Sequence, residues 1–423
     1  MNSSPRHERQ PRYGKCLSNT AKRDTWSAHM TANVESRNPV WLAVGGLVAL
    51  AAALGIGRFV YTPILPLMIE DLGMTKTMAG AMASANFAGY LAGALVAATT
   101  ALPGSRRRWL LTALFVSAVT TGAMGLLNST AAFFVLRFLG GFASALVLVF
   151  ASALVLDRLN AAGRPQLSAV YFAGVGAGIA VSAILVSSLL AAGGQWHSLW
   201  MGSGLLCLLG LAIVYALIPD RAEPPGLKAS ESVPMSTRLK NLVVAYGLFG
   251  FGYVITATFL VVIVRTSEQL RSSEPVVWLL VGLAAAPSIA LWGWLARKMG
   301  NTNAFALACV LQAAGVAASV LWPAVPGIVA CAVLLGGTFM GMTALGLIEA
   351  RRLSQGDPRR TLAVMTASFG VGQILGPTFA GYMHDLTGGF LIPSLVAAGA
   401  LLAAATLVIE PPRETIIQPT KGD

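Results

Sequence analysis

Along this chain, apolar stretches of roughly the 20 residues a spanning helix needs alternate with short polar ones. Twelve such runs follow one another: Val40–Met68, Met78–Leu102, Trp109–Leu127, Ala131–Leu156, Gln166–Ala191, Trp196–Ile218, Asn241–Val264, Pro275–Ala296, Ala304–Trp322, Pro326–Ile348, Thr361–Met383 and Phe390–Ile409. Each predicts one helix crossing a bilayer, because backbone polar groups inside lipid must bond within their own segment. Glycine pairs four apart, Gly89–Gly93, Gly174–Gly178, Gly337–Gly341 and Gly372–Gly376, predict seams of close helix approach. The spacing Gly174-Val-Gly176-Ala-Gly178 superficially resembles a nucleotide fingerprint, but no strand precedes it.

Composition agrees. Hydrophobic residues make up 56% and charged residues 11% of 423, where a soluble domain carries about 25% charged; mean hydropathy is +0.70. The fold class is an all-α polytopic membrane protein of twelve transmembrane helices in two six-helix bundles. Expected boundaries are a disordered basic tail (1–38), a first bundle (39–218), a linker (219–240), a second bundle (241–410) and a tail (411–423). The first tail has no apolar core and so is no signal peptide; Met30 is an alternative start. Cys16, Cys207, Cys309 and Cys331 are too dispersed for a disulfide framework or a metal site.

The net charge of +12 would suit nucleic acid, but its distribution argues otherwise. With the N-terminus inside, twenty-four of the 29 lysines and arginines fall on the cytoplasmic side, three (Lys76, Arg265, Arg271) outside, and two within helices. That bias places both termini in the cytoplasm of a cell membrane and accounts for the charge without a nucleic-acid partner.

The two intramembrane cations are the sharpest chemistry. Arg58 follows a long uncharged stretch, close to Pro63 and Pro66, and a cation at mid-membrane costs about 2.5–3.5 kcal/mol on insertion scales. It either snorkels or faces a polar cavity and meets an anion there. Arg137 lies six residues into the fourth run, placed to satisfy carbonyls or line the cavity. Tyr61 falls on the face of Arg58 at i+3. Asn86 with Tyr90 forms a second polar face, and Tyr246, Gly250, Tyr253 and Ala257 a third, with Thr256 nearby; Gln373 sits midway along the eleventh run. No carboxylate lies at mid-membrane, so coupling runs through helix-end acids, through the solute's own charge, or not at all.

The halves echo one another. Leu102-Pro-Gly-Ser-Arg106 is answered by Leu295-Ala-Arg297-Lys-Met-Gly300, Asp157-Arg158 by Glu349-Ala-Arg351, and Phe172-Ala-Gly-Val-Gly176 by Ser368-Phe-Gly-Val-Gly372. Repeats of the same topology place a solute site between them near the midplane. In this the chain resembles the major facilitator superfamily, over about residues 40–410. The resemblance rests on Leu54-Gly55 with Pro63 and Pro66, on Arg137-Phe-Leu-Gly-Gly141, and on Gly372-Gln-Ile-Leu-Gly-Pro377. GIGRFVYTPILPLM, ASANFAGYLAGAL and YGLFGFGYVITATFL are similar to its YbfB/YjiJ-like branch.

The resemblance implies alternating access and, for Arg137, an association with proton relay. The superfamily's acidic residue is missing from the loop before Arg106 and from its counterpart near Arg297. Asp157 and Glu349 either pair with Arg106, Arg107, Arg108 or Arg297 in its place or stay solvated. The expected function is secondary transport of a small anionic solute, such as a carboxylate metabolite. The alternative is proton-driven export of amphiphilic compounds. The expected partners are solute, bilayer and protons, with the protein a monomer and no cofactor. Nucleophile–base clusters and filter segments do not read from the sequence, which argues against enzyme and channel.

Overall fold

The computed structural model describes residues 38–99, 104–220, 235–355 and 357–409. The greater part of the basic tail, with Cys16 and Met30, most of the linker and the final tail lie outside the described residues. Everything else is helix and short connections: α1 (Pro39–Leu72), α2 (Lys76–Thr99), α3 (Arg106–Ala123), α4 (Thr130–Ala161), α5 (Ser168–Ala191), α6 (Trp196–Leu217), α7 (Thr237–Thr266), α8 (Glu274–Met299), α9 (Asn301–Leu321), α10 (Val325–Leu353), α11 (Pro358–Thr387) and α12 (Leu391–Val408). Eleven of these are long and apolar enough to cross a membrane. Helix α3 falls short because its 18 residues begin with three arginines. Side-chain caps start several helices: Ser105 accepts from Arg108 N, Ser236 from Leu239 N, and Asp357 from Arg359 N. The cap at Ser236 starts α7 inside the stretch read as linker.

The pairing of helices repeats six elements on. Within the first six, α1 packs on α5 and α6, α2 on α4, and α3 on α4 and α6; among the last six, α7 packs on α11 and α12, α8 on α10, and α9 on α10 and α12. The two sets meet along α2–α11, α5–α8 and α1–α7. The near end of the bundle carries Pro39 and Leu217; at the far end Leu72 turns into Lys76.

The glycine seams are real at most of the expected positions. A Cβ on Gly89 would lie 1.9 Å from the Phe138 carbonyl oxygen, and one on Gly372 2.1 Å from that of Gly247, so backbone meets backbone there. Gly337 departs from the expectation: a Cβ there would meet nothing within 4 Å. Its carbonyl serves instead, accepting from Ser288 Oγ at 2.8 Å and Trp292 Nε1 at 2.7 Å.

Helix α1 is broken in the middle. A π-helical stretch, Ala51–Ile56, gives way to a turn at 57–60 before the α-helix resumes at Tyr61. Proline explains the break, since Pro63 has no N–H for the Phe59 carbonyl. Thr62 N bonds that carbonyl instead, at 3.2 Å, leaving the Gly57 and Arg58 carbonyls without their helical donors.

Candidate functional site

Both buried arginines gather at this break. Arg137, on α4, donates to the Gly57 carbonyl at 3.5 Å and to the Arg58 carbonyl at 3.3 Å. Its guanidinium lies 4.6 Å over the Tyr61 ring. Arg137 therefore caps the interrupted helix, which is the carbonyl-satisfying role the sequence left open. Asn86 on α2 completes the joint by donating from Nδ2 to the Arg137 carbonyl at 2.8 Å.

Arg58 has a different environment. It is only 5% exposed, and its guanidinium carbon lies 4.5 Å from the Phe87 centroid and 4.4 Å from that of Tyr90. Arg58 Nε and Nη2 have no hydrogen-bond partner, and no described carboxylate lies within ion-pair distance. The cation is thus held by ring faces, an attraction worth about 0.5–2 kcal/mol, with donors to spare. Tyr61 does not stand beside it as an unbroken i+3 spacing would require. The turn at 57–60 carries Tyr61 away, so its hydroxyl donates to the Ala79 carbonyl at 2.8 Å, about two turns of α2 from Phe87.

The second half supplies the facing wall. Phe59, next to Arg58, meets Phe339 of α10 at 6.1 Å. Tyr253 of α7 stacks between Phe339 and Phe369 at 5.8 and 5.7 Å, in both cases nearly parallel. Gln373 of α11 donates from Nε2 to the Tyr253 hydroxyl, while its Oε1 is unpartnered. Asn86 Oδ1 and Thr256 Oγ1 are likewise buried without partners. Five of the seven expected cavity residues (Arg58, Asn86, Arg137, Thr256 and Gln373) therefore hold a buried polar atom with an open valence. Such atoms cost about 1–3 kcal/mol each when left unmet.

Of the expected gating residues, Arg107 donates to the Ile218 and Tyr215 carbonyls at 2.6 and 2.8 Å, tying α3 to the end of α6. Arg106 begins α3 beside it. Glu349 pairs with Arg352 at 3.8 Å and accepts from Asn301 at 3.1 Å. Arg297 turns back to its own Gly293 carbonyl at 3.1 Å, and Asp157 is exposed. Helices α4 and α10 run on past Asp157 and Glu349, so neither acid stands at a helix exit; Glu349 meets Arg352, one turn on along its own helix, and not Arg297.

The far end carries the polar contacts that the sequence reading missed. Arg265 of α7 grips Glu70 of α1 through Nε at 2.7 Å and Nη2 at 2.8 Å, and reaches Glu274 of α8 at 3.0 Å. Asp385 of α11 accepts from Lys76 N, Thr77 N and Thr77 Oγ1 at 3.1, 2.8 and 2.7 Å, so an acid of one half caps a helix of the other. Deeper in, Ser84 donates to the Ile374 carbonyl at 2.6 Å and Thr62 to that of Ala257 at 2.7 Å. The only signal for the ionic contacts was the clustering of charges around Leu72–Lys76 and Arg265–Glu274. Among the described residues no group of His, Cys, Asp and Glu could hold a metal ion.

Residues 50–409 match the family described as uncharacterised MFS-type transporter YbfB. The chain belongs to that family. It is therefore a transporter of small solutes and not an enzyme. The chain is 26% identical over 397 residues to a chloramphenicol resistance protein of Streptomyces lividans, covering 89% of this chain and 97% of that one. It is 28% identical over 157 residues to the 4-hydroxybenzoate transporter PcaK of Acinetobacter baylyi, 37% of this chain and 34% of the relative. It is also 26% identical over 195 residues to a gallate transporter of Pseudomonas putida, 46% and 42%. Among solved structures it is similar to the nucleoside transporter NupG, with TM-score 0.64, 15% identity and coverage of 87% of this chain and 97% of that one. It is similar too to the human organic anion transporter MFSD10, with TM-score 0.63, 17% identity and coverage of 87% and 99%. These structural likenesses bear on the fold alone.

Proposed function

We propose that this MFS transporter is a secondary carrier of a small organic anion, a carboxylate borne on an aromatic ring. The two six-helix halves would rock about a central site to give alternating access. One observation carries the reading: Arg58 is a buried guanidinium with free donors, no carboxylate partner and a lining of aromatic rings. A carboxylate accepting from Nε and Nη2 would satisfy those donors with charge-assisted bonds. The solute's ring would lie among Phe59, Tyr90, Tyr253 and Phe339, and Gln373 Oε1, Asn86 Oδ1 and Thr256 Oγ1 would receive ring hydroxyls. The relatives named for 4-hydroxybenzoate and gallate, both hydroxylated aromatic acids, support that choice.

The loop cations support a topology with both termini cytoplasmic, so that the far end, sealed by Glu70–Arg265–Glu274 and Asp385, faces outward. The working unit would be the monomer. Protons remain the candidate coupling ion, taken up by far-end acids, since no described carboxylate lies near Arg58.

The relative named for chloramphenicol resistance, matched over nearly the whole chain, favours a second reading: export of amphiphilic compounds held by the aromatic wall. Transport in proteoliposomes by the parent, Arg58→Lys and Arg58→Ala separates the two. Loss of aromatic-acid transport in both variants supports the anion reading. If both variants carry the acid normally, that reading is wrong. A broad substrate profile that survives both changes supports export.

A further inference from the structure

At the far end, between α5 of the first half and α7 and α8 of the second, lies a cavity of about 380 Å³. Such a volume is within the range of small-molecule sites, about 300–1,000 Å³. Its wall is apolar along Pro63 and Val261, and its charged groups are Arg265, Arg271 and one acid, Glu274. Arg265 is committed to Glu70 and Glu274. Arg271, exposed at the rim, makes no ion pair among the described residues and feels the Glu70 charge only at longer range, so its guanidinium can still take an anion. At the inner end stands Trp278, which borders both this cavity and a narrow void lined by Phe59, Tyr253 and Phe339 of the central site. Trp278 is 2% exposed, and its indole N–H has no acceptor. A buried donor without a partner, between two empty spaces, is a place where an acceptor is wanted.

We propose that this cavity is a second, regulatory binding site for an amphiphilic organic anion. The anion's carboxylate meets Arg271, its apolar body lies along Pro63 and Val261, and an oxygen reaches the Trp278 indole. The walls come from both halves, so the cavity exists only while the far end is shut. A ligand there binds the shut state alone and shifts the population toward it. Solute reaching this site thus slows the carrier instead of feeding it. This state dependence rests on the alternating-access reading above; the binding itself does not.

The test uses the full chain in detergent with radiolabelled 2-naphthoate, and 2-naphthamide as the uncharged competitor. Arg58→Lys, which weakens the central site, should keep a saturable binding event that 2-naphthamide fails to displace. Adding Arg271→Gln should weaken that event at least tenfold, and adding Trp278→Phe several-fold. In a separate Ser84→Cys chain, labelling of the buried seam by an impermeant maleimide reports opening of the far end. Labelling slowed by 2-naphthoate, and no longer slowed once Arg271→Gln is added, supports the proposal. Loss of all binding in Arg58→Lys, indifference to Arg271→Gln, equal competition by the amide, or labelling unchanged or accelerated by 2-naphthoate each overturns it. A parent chain that binds 2-naphthoate through Arg271 yet moves no organic anion rejects the transport reading and upholds the site.

Discussion

Arg137 donates a hydrogen bond to the backbone carbonyl of Arg58 at 3.3 Å, so one buried cation props the strand of chain that carries the other. The first has a structural duty, bridging a gap left by Pro63, and the second keeps two donors, Nε and Nη2, unpaired. Arg137→Gln should therefore lower solute transport at least tenfold by letting Arg58 drift, and should lower thermal stability because two buried carbonyls lose their donor at about 1–3 kcal/mol each. Arg137→Lys, with a single point donor, should recover little of either. Uptake in proteoliposomes beside a detergent melting curve checks both.

Tyr90 and Phe87 hold Arg58 by their ring faces. Tyr90→Phe keeps the face and should leave the apparent affinity within about twofold, whereas Tyr90→Leu removes it and should raise the KM several-fold, as expected of about 0.5–2 kcal/mol of cation–ring attraction. A KM rise with Vmax retained is the signature to look for. Equal effects of the two changes would show that the hydroxyl, not the ring, matters.

At the far end, Glu70→Gln should loosen the bidentate hold of Arg265, and Asp385→Asn should weaken the cap on α2. Either change should speed maleimide labelling of Ser84→Cys by a few-fold. High salt should mimic the Glu70 change in the parent, because Glu70 is 52% exposed and screening acts on charges in contact with water.

Packing gives a contrast pair. Gly89→Ala would drive a methyl into the Phe138 backbone and should cost several degrees of melting temperature or abolish expression. Gly337→Ala points into open space and should be tolerated. Fluorescence-detected size exclusion of the two variants decides it.

Much of this was legible in the sequence, for physical reasons. Lipid forces each crossing to be a helix of nearly fixed length, so apolar runs map onto helices almost one to one. Pro63 announced a disturbance in α1. The π-stretch, the turn at 57–60 and the resulting separation of Tyr61 from Arg58 were not readable, because they depend on which neighbour repairs the broken ladder. The aromatic wall was hidden for another reason. Phe59, Phe87, Phe339 and Phe369 look like ordinary lipid-facing residues until tertiary structure sets Phe59 against Phe339, Phe369 against Tyr253 and Phe87 against Arg58. Glu70, Arg265 and Asp385 read as loop charges because an ion pair between distant segments leaves no local pattern.

The joint in α1 also has a mechanical meaning. Its first segment beds against α4, α5 and α6, while its second also leans on α7, across the boundary between the halves. A stiff rod would drag Arg58 along whenever its tip swung outward. Under the proposed rocking, a break at 57–60, clamped from the side by Arg137, would let the tip swing while Arg58 keeps its place.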